Sequence, residues 1–166
     1  HGHGTIFKIS VNGALTSLFA FSGTNGSRPY CGLTLATDGN FYGTTTGGGK
    51  HGYGTVFRIT SDGGFQNLCS FTGKNGAHPR ASLLLATDGF LYGTTQSGGE
   101  SFDGKSGRGM GAVFQLSTNG TLKLLFSFNG TNGVNPRCVL AEGKDGSLYG
   151  TTEYGGVSHG EHDNGA

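Results

Sequence analysis

The tetrapeptide Tyr-Gly-Thr-Thr stands three times in this chain, at Tyr42 to Thr45, Tyr92 to Thr95 and Tyr149 to Thr152. An Asp-Gly pair precedes each copy, and a glycine run and an aromatic segment follow it. Self-similarity with a period of about 50 residues belongs to propellers and related arrays, whose units bury their apolar faces only against one another. That period constrains the fold more than any other feature of the sequence.

Within each repeat four short apolar segments alternate with turn residues. The first spans Cys31 to Thr37, Ala81 to Thr87 and Cys138 to Lys144; the second begins at Phe41, Leu91 and Leu148. The third covers Thr5 to Ile9, Thr55 to Ile59 and Ala112 to Leu116. The fourth covers Leu15 to Phe21, Phe65 to Phe71 and Leu122 to Phe128. Asx-Gly pairs separate first from second and third from fourth, which predicts antiparallel hairpins with tight type I′ turns. The segments are of strand length and rich in aromatic and β-branched residues, and none has a 3.6-residue apolar period. An all-β fold follows, with four-stranded blades of a β-propeller as the first reading and a β-trefoil as the alternative.

Composition agrees with a folded, glycine-punctuated domain. The chain has 166 residues, 35 of them Gly, but also 12 Phe and 6 Tyr at recurring phases, which a disordered segment would lack. A net charge of +1 with no basic run excludes the electrostatic field that nucleic acid requires. No apolar stretch is long enough for a helical membrane span. Cys31, Cys69 and Cys138 have no metal-ligand spacing; they read as small buried residues, with a Cys31–Cys138 disulfide as the second reading. The chain opens on His1, the pattern of a mature or excised form.

The phase of the repeat divides residues 1–166, one repeat domain, into a half-blade at 1–21, blades at 29–72 and 79–129, a half-blade at 136–152 and a terminal loop at 153–166. Two copies would supply six blades, so the expected partner is a second copy closing the ring, or further blades of a longer chain.

Binding residues concentrate on long loops of a rigid scaffold. Here these are the connections between second and third strands and between blades. They carry Asn25 and Arg28, His51, Asn75 and His78, and Asn132 and Asn135. Amides and basic groups at equivalent positions suit hydrogen bonding to sugar hydroxyls. The other reading is Asx-turns to their own backbone. His1 and His159 share the His-Gly context of His51, and His159, Glu161, His162 and Asp163 form a candidate metal cluster of low geometric definition. No cofactor, metal site or catalytic residue is assigned. Asn25, Asn119 and Asn129 head Asn-x-Ser/Thr sequons.

The pattern Pro-x-x-x-Leu, Asp-Gly-x-Phe/Leu-Tyr-Gly-Thr-Thr, Gly-Gly, Gly-Thr-Val-Phe resembles the Gloeo–Verruco (GloVer) tandem repeat of secreted and surface proteins. Gly54 to Phe71 followed by Pro79 to Gly99 is its fullest copy; the third departs at Ala112, at Glu142 and in an insertion around Glu100 to Met110. The resemblance implies a propeller-like extracellular array and supplies no catalytic residues. The functional expectation is a non-enzymatic, extracellular binding or assembly module with glycans as ligand class. The alternatives are a fragment of a carbohydrate-active enzyme and a structural subunit of a surface layer or fibre.

Overall fold

The computed structural model describes residues 2–104 and 109–156. Fifteen strands and no helix are present among them. In chain order they are β1 (Thr5–Ile9), β2 (Leu15–Ala20), β3 (Thr34–Leu35), β4 (Phe41–Thr45), β5 (Thr55–Ile59), β6 (Phe65–Ser70), β7 (Ala77–Pro79) and β8 (Leu84–Leu85). There follow β9 (Leu91–Ser97), β10 (Ala112–Leu116), β11 (Leu122–Ser127), β12 (Val134–Pro136), β13 (Ala141–Glu142), β14 (Leu148–Tyr149) and β15 (Thr152–Tyr154).

One antiparallel sheet has the order β3-β4-β5-β6; a second runs β11-β10-β9-β7, with β8 also on β9. These are two complete blades. The pair β1-β2 and the pairs β12-β15 and β13-β14 form half-blades at either side. Neighbouring blades converge on their first strands: Thr34 Oγ1 donates to Leu83 O at 2.6 Å, whereas fourth strands meet through long side chains such as Phe19 stacked on Phe65 at 3.8 Å. A fan converging on its first strands is a propeller and not a trefoil.

The turns differ from expectation. Each is a three-residue loop closed by two backbone bonds, as where Ala36 N donates to Asn40 O and Gly39 N to Ala36 O, both at 3.0 Å. The same pair of bonds closes the loops at Ser10–Ala14, Thr60–Gly64, Ala86–Phe90, Ser117–Thr121 and Gly143–Ser147. Only the glycine is left-handed, with φ of 77° at Gly39 and 81° at Gly89, while the Asx before it is not. This is a type I turn with a following glycine bulge, in place of the two-residue type I′ loop. The Asp side chain favours it because Oδ1 of Asp38 and Asp88 accepts the amide two residues on, at 3.0 Å in both.

The first strand also departs from its predicted length. Only Thr34–Leu35 and Leu84–Leu85 pair at its far end, with Ala77–Pro79 making a separate ladder to β9. Pro79 has no N–H to donate, and the residue before it is left-handed, so a continuous ladder is impossible.

The core lies between blades and is built from aromatic rings. In all three third-to-fourth strand pairs the register shifts at the same place, between Ile6 and Phe7, Val56 and Phe57, and Val113 and Phe114. The extra residue of each bulge lies on the fourth strand, at Leu18, Leu68 and Leu125. In the unbroken ladder on the other side, Phe57 and Phe114 rest on Gly43 and Gly93 opposite them. The ring of Phe114 is met edge-on by Phe71 at 5.3 Å, and that of Phe57 by Phe21 at 5.4 Å. The glycine of Tyr-Gly-Thr-Thr is thus a seat for a ring within its own blade.

The tyrosine of the motif is buried in both complete blades, and its hydroxyl donates to the Asp of the preceding turn: Tyr42 to Asp38 at 2.7 Å and Tyr92 to Asp88 at 2.6 Å. Burial, then the adjoining Asp38 carboxylate, push Tyr42 up to about 12 from an ordinary 10.0. The neutral phenol is favoured by the fold, so this stabilisation is complete below pH 10 and is lost as pH rises from 10 to about 12. An alkaline titration of phenolate absorbance should show a component near pH 12 that coincides with unfolding and disappears in Tyr42→Phe. Ionisation of all tyrosines in one step near 10 would contradict this.

Candidate functional site

The long-loop face is organised by the crossovers between blades. Arg28, His78 and Asn135, each before a proline, have φ of 58°, 55° and 57°. Left-handed geometry is uncommon for Arg and His and costs on the order of 1–2 kcal/mol. A backbone bond holds it in place: Arg28 N donates to His3 O at 2.8 Å, His78 N to Tyr53 O at 2.8 Å and Asn135 N to Met110 O at 2.9 Å. The same backbone carries three different side chains, so the conformation belongs to the repeat and the side chain is free to vary.

Thr46 joins two of the predicted residues. Its N–H donates to Arg28 O at 3.1 Å, its carbonyl lies 2.9 Å from His78 Nδ1, and its hydroxyl donates to Pro79 O at 2.8 Å. Arg28 and His78, far apart in sequence, therefore meet at one junction, where the guanidinium lies over Gly47 and the imidazole stands edge-on to Tyr53 at 5.9 Å. His51 is exposed in the loop above. Asn25, Asn75 and Asn132 cap their own loops: their Oδ1 atoms accept from Ser22 N, Thr72 N and Asn129 N at 2.8, 2.8 and 2.9 Å. Their acceptor oxygens serve the turn, as the Asx-turn reading has it. His1, His159, Glu161, His162 and Asp163 lie outside the described residues. All three cysteines are free and half-buried, so Cys31 and Cys138 form no disulfide. Burial pushes the Cys31 and Cys69 thiols up.

The next junction is built differently. Gln96 stands where Thr46 does, and Asn135 where His78 does. Between them a groove of about 570 Å³ opens, lined by Gln96, Ser97, Ser101, Met110, Val134 and Asn135 among others. Among the described residues its lining holds no ionisable side chain. Two amides and two hydroxyls supply donors and acceptors, and Met110 and Val134 supply an apolar wall. Such a surface suits a neutral polyhydroxy ligand with a C–H face. Asn135 was in the sequence prediction; Gln96, Ser97 and Ser101 were not. The available signal is that the residue following Tyr-Gly-Thr-Thr changes between copies, as Thr46, Gln96 and Glu153.

A third row follows the prolines. Tyr30, Arg80 and Arg137 are exposed at the start of the first strands. The Arg80 guanidinium lies 5.8 Å above the Tyr30 ring, and Arg137 pairs with Glu153 at 2.8 Å. No group of three or more metal-ligating side chains occurs among the described residues.

The sequence model of the Gloeobacter/Verrucomicrobia repeat matches residues 1–165. No curated protein matches the chain. Among solved structures, one classed as a gluconolactonase by family is 21% identical, with a TM-score of 0.58 over 90% of this chain and 48% of its own. A gluconolactonase from Xanthomonas campestris is 18% identical, with a TM-score of 0.57 over 92% of this chain and 48% of its own. This chain therefore spans about half the length of each. At such identity the likeness carries the fold. It also corrects the expectation of a non-enzymatic module, because the architecture is one in which solved proteins are described as enzymes.

Proposed function

Because the chain belongs to the Gloeobacter/Verrucomicrobia repeat family and its sheets are propeller blades, we propose that it is a carbohydrate-directed module working outside the cell, with its sugar site in the groove between the two junction loops at Gln96 and Asn135. The observation that carries this reading is the groove's chemistry: amides, hydroxyls and a short apolar wall on the long-loop face, with no charged side chain among its described lining residues. Sugars are recognised by that combination, since planar amides bridge adjacent hydroxyls while C–H faces rest on apolar groups. The sugar-lactone chemistry named for the two structural neighbours supports the same ligand class.

Titration calorimetry with gluconate, glucono-lactone and neutral oligosaccharides tests it. Removing one amide forfeits about one to two hydrogen bonds, so Gln96→Ala and Asn135→Ala should each weaken binding about tenfold. His51→Ala, remote from the groove lining, should leave it unchanged. Lactone hydrolysis measured on the same preparations reports whether the bound sugar is also turned over. Sugar binding indifferent to both amide substitutions would place the ligand elsewhere and overturn the assignment.

A further inference from the structure

The two half-blades are complementary residue by residue. Among the described residues β1 bonds only to β2, leaving one edge open, whereas the equivalent β5 and β10 are bonded on both sides. On the other half-blade, β14 and β15 present the edge that β4 and β9 use to hold β5 and β10. We propose that the β1–β2 hairpin of a second copy of this chain seats on β14 and β15, with Phe7 covering Gly150, so that two copies close one six-bladed ring.

The register follows from the two complete blades. There Gly43 faces Phe57 and Gly93 faces Phe114; Tyr42 faces Arg58 and Tyr92 faces Gln115; Phe41 faces Ile59 and Leu91 faces Leu116. The same offsets place Phe7 opposite Gly150, Lys8 opposite Tyr149 and Ile9 opposite Leu148. Every one of these positions is unfinished in the single chain. Phe7 is 57% exposed, against 1% for Phe57 and 0% for Phe114. Ile9 and Tyr149 are exposed where Ile59, Leu116, Tyr42 and Tyr92 are buried.

The seat for the ring is empty as well. A Cβ at Gly43 or Gly93 would strike a Phe ring, but one at Gly150 meets only Leu140 and Cys138. A cavity of about 270 Å³ occupies the space, bordered by Val113, Phe128, Leu140, Leu148 and Gly150. Phe128 stands where Phe21 and Phe71 stand, the rings that meet Phe57 and Phe114 edge-on. A second cavity of about 320 Å³ lies on the other open edge, against Ile6, Phe7 and Leu33. It is the space the partner's β13–β15 would fill. An open edge with this much apolar surface is a template for pairing.

Two copies together match the length of the structural neighbours. This chain matches its neighbours over nine-tenths of its own length and 48% of theirs, so two lengths make one such protein. The contact is isologous, β1–β2 of each copy on β14–β15 of the other about one twofold axis, so it closes at two copies.

Light scattering on the 166-residue chain tests this, with twice 17.0 kDa expected. Phe7→Glu should reduce the mass to 17.0 kDa by putting a carboxylate on the Gly150 seat. A second arm keeps Phe7. Lys8→Cys with Tyr149→Cys should give a covalent dimer on mild oxidation, while Lys8→Cys with Ser147→Cys, two residues out of register, should not; the unmodified chain, with its three native thiols, is the blank. If Phe7→Glu fails to fold, the cross-linking pair decides. A folded monomer, open polymers in place of a dimer, or equal cross-linking of the shifted pair would each overturn the proposal.

Discussion

Phe114→Ala should lower stability by about 3–5 kcal/mol, the largest single-residue effect expected in the chain. Its ring is fully buried, rests on Gly93 and is met edge-on by Phe71 from the preceding blade. Truncation removes the burial of a whole aromatic side chain and leaves a cavity whose walls, Leu83 and Phe71 among them, are themselves buried and have no slack to collapse. The cost should be read as a shift of the urea midpoint at unchanged slope. A loss under 1 kcal/mol would mean that the ring is not the keystone of the second blade that its contacts make it.

Gly93→Val attacks the same contact from the opposite side. A Cβ there would stand 2.5 Å from Phe114 Cζ and 2.8 Å from Leu83 Cδ2, both in the core. Neither neighbour is the free end of a flexible chain, so the blade must open or the ring must leave its rotamer. Overpacking of this kind costs about 1–3 kcal/mol, and the γ-methyls of valine place this case at the upper end. Combining Gly93→Val with Phe114→Leu removes the clashing ring edge. The double variant should therefore be more stable than the sum of the two single losses predicts. Strict additivity would show that the two residues do not touch.

The hairpins were legible in the sequence because Asx-Gly pairs and aromatic segments recur in fixed order, and the second, third and fourth strands follow them closely. The turn type was not. Asp-Gly is compatible with both two- and three-residue loops, and the choice depends on Asp38 and Asp88 accepting a hydrogen bond two residues on. The first strand was over-read: of the stretches Cys31 to Thr37 and Ala81 to Thr87 only Thr34–Leu35 and Leu84–Leu85 pair. The binding face had a similar blind spot. Reading by repetition favours what recurs, and so selected Asn25, Asn75 and Asn132, whose carbonyl oxygens cap their own loops. The groove instead arises where the copies differ, at Gln96 and in the loop bearing Ser101, and only the fold brings these beside Asn135.

In the first complete sheet neighbouring strands are consecutive along the chain, and in the second only β7 and β9 pair across one intervening strand, β8. No strand has to search across another blade for its ladder, so the entropy of loop closure at each step is that of a short connection. Each blade can thus nucleate from its own hairpins, and the Phe21–Phe57 and Phe71–Phe114 contacts then pass order from one blade to the next. Hydrogen exchange should accordingly resolve opening units of blade size, with protection highest in β4, β5, β9 and β10, the strands bonded on both sides, and lowest along the open edge of β1.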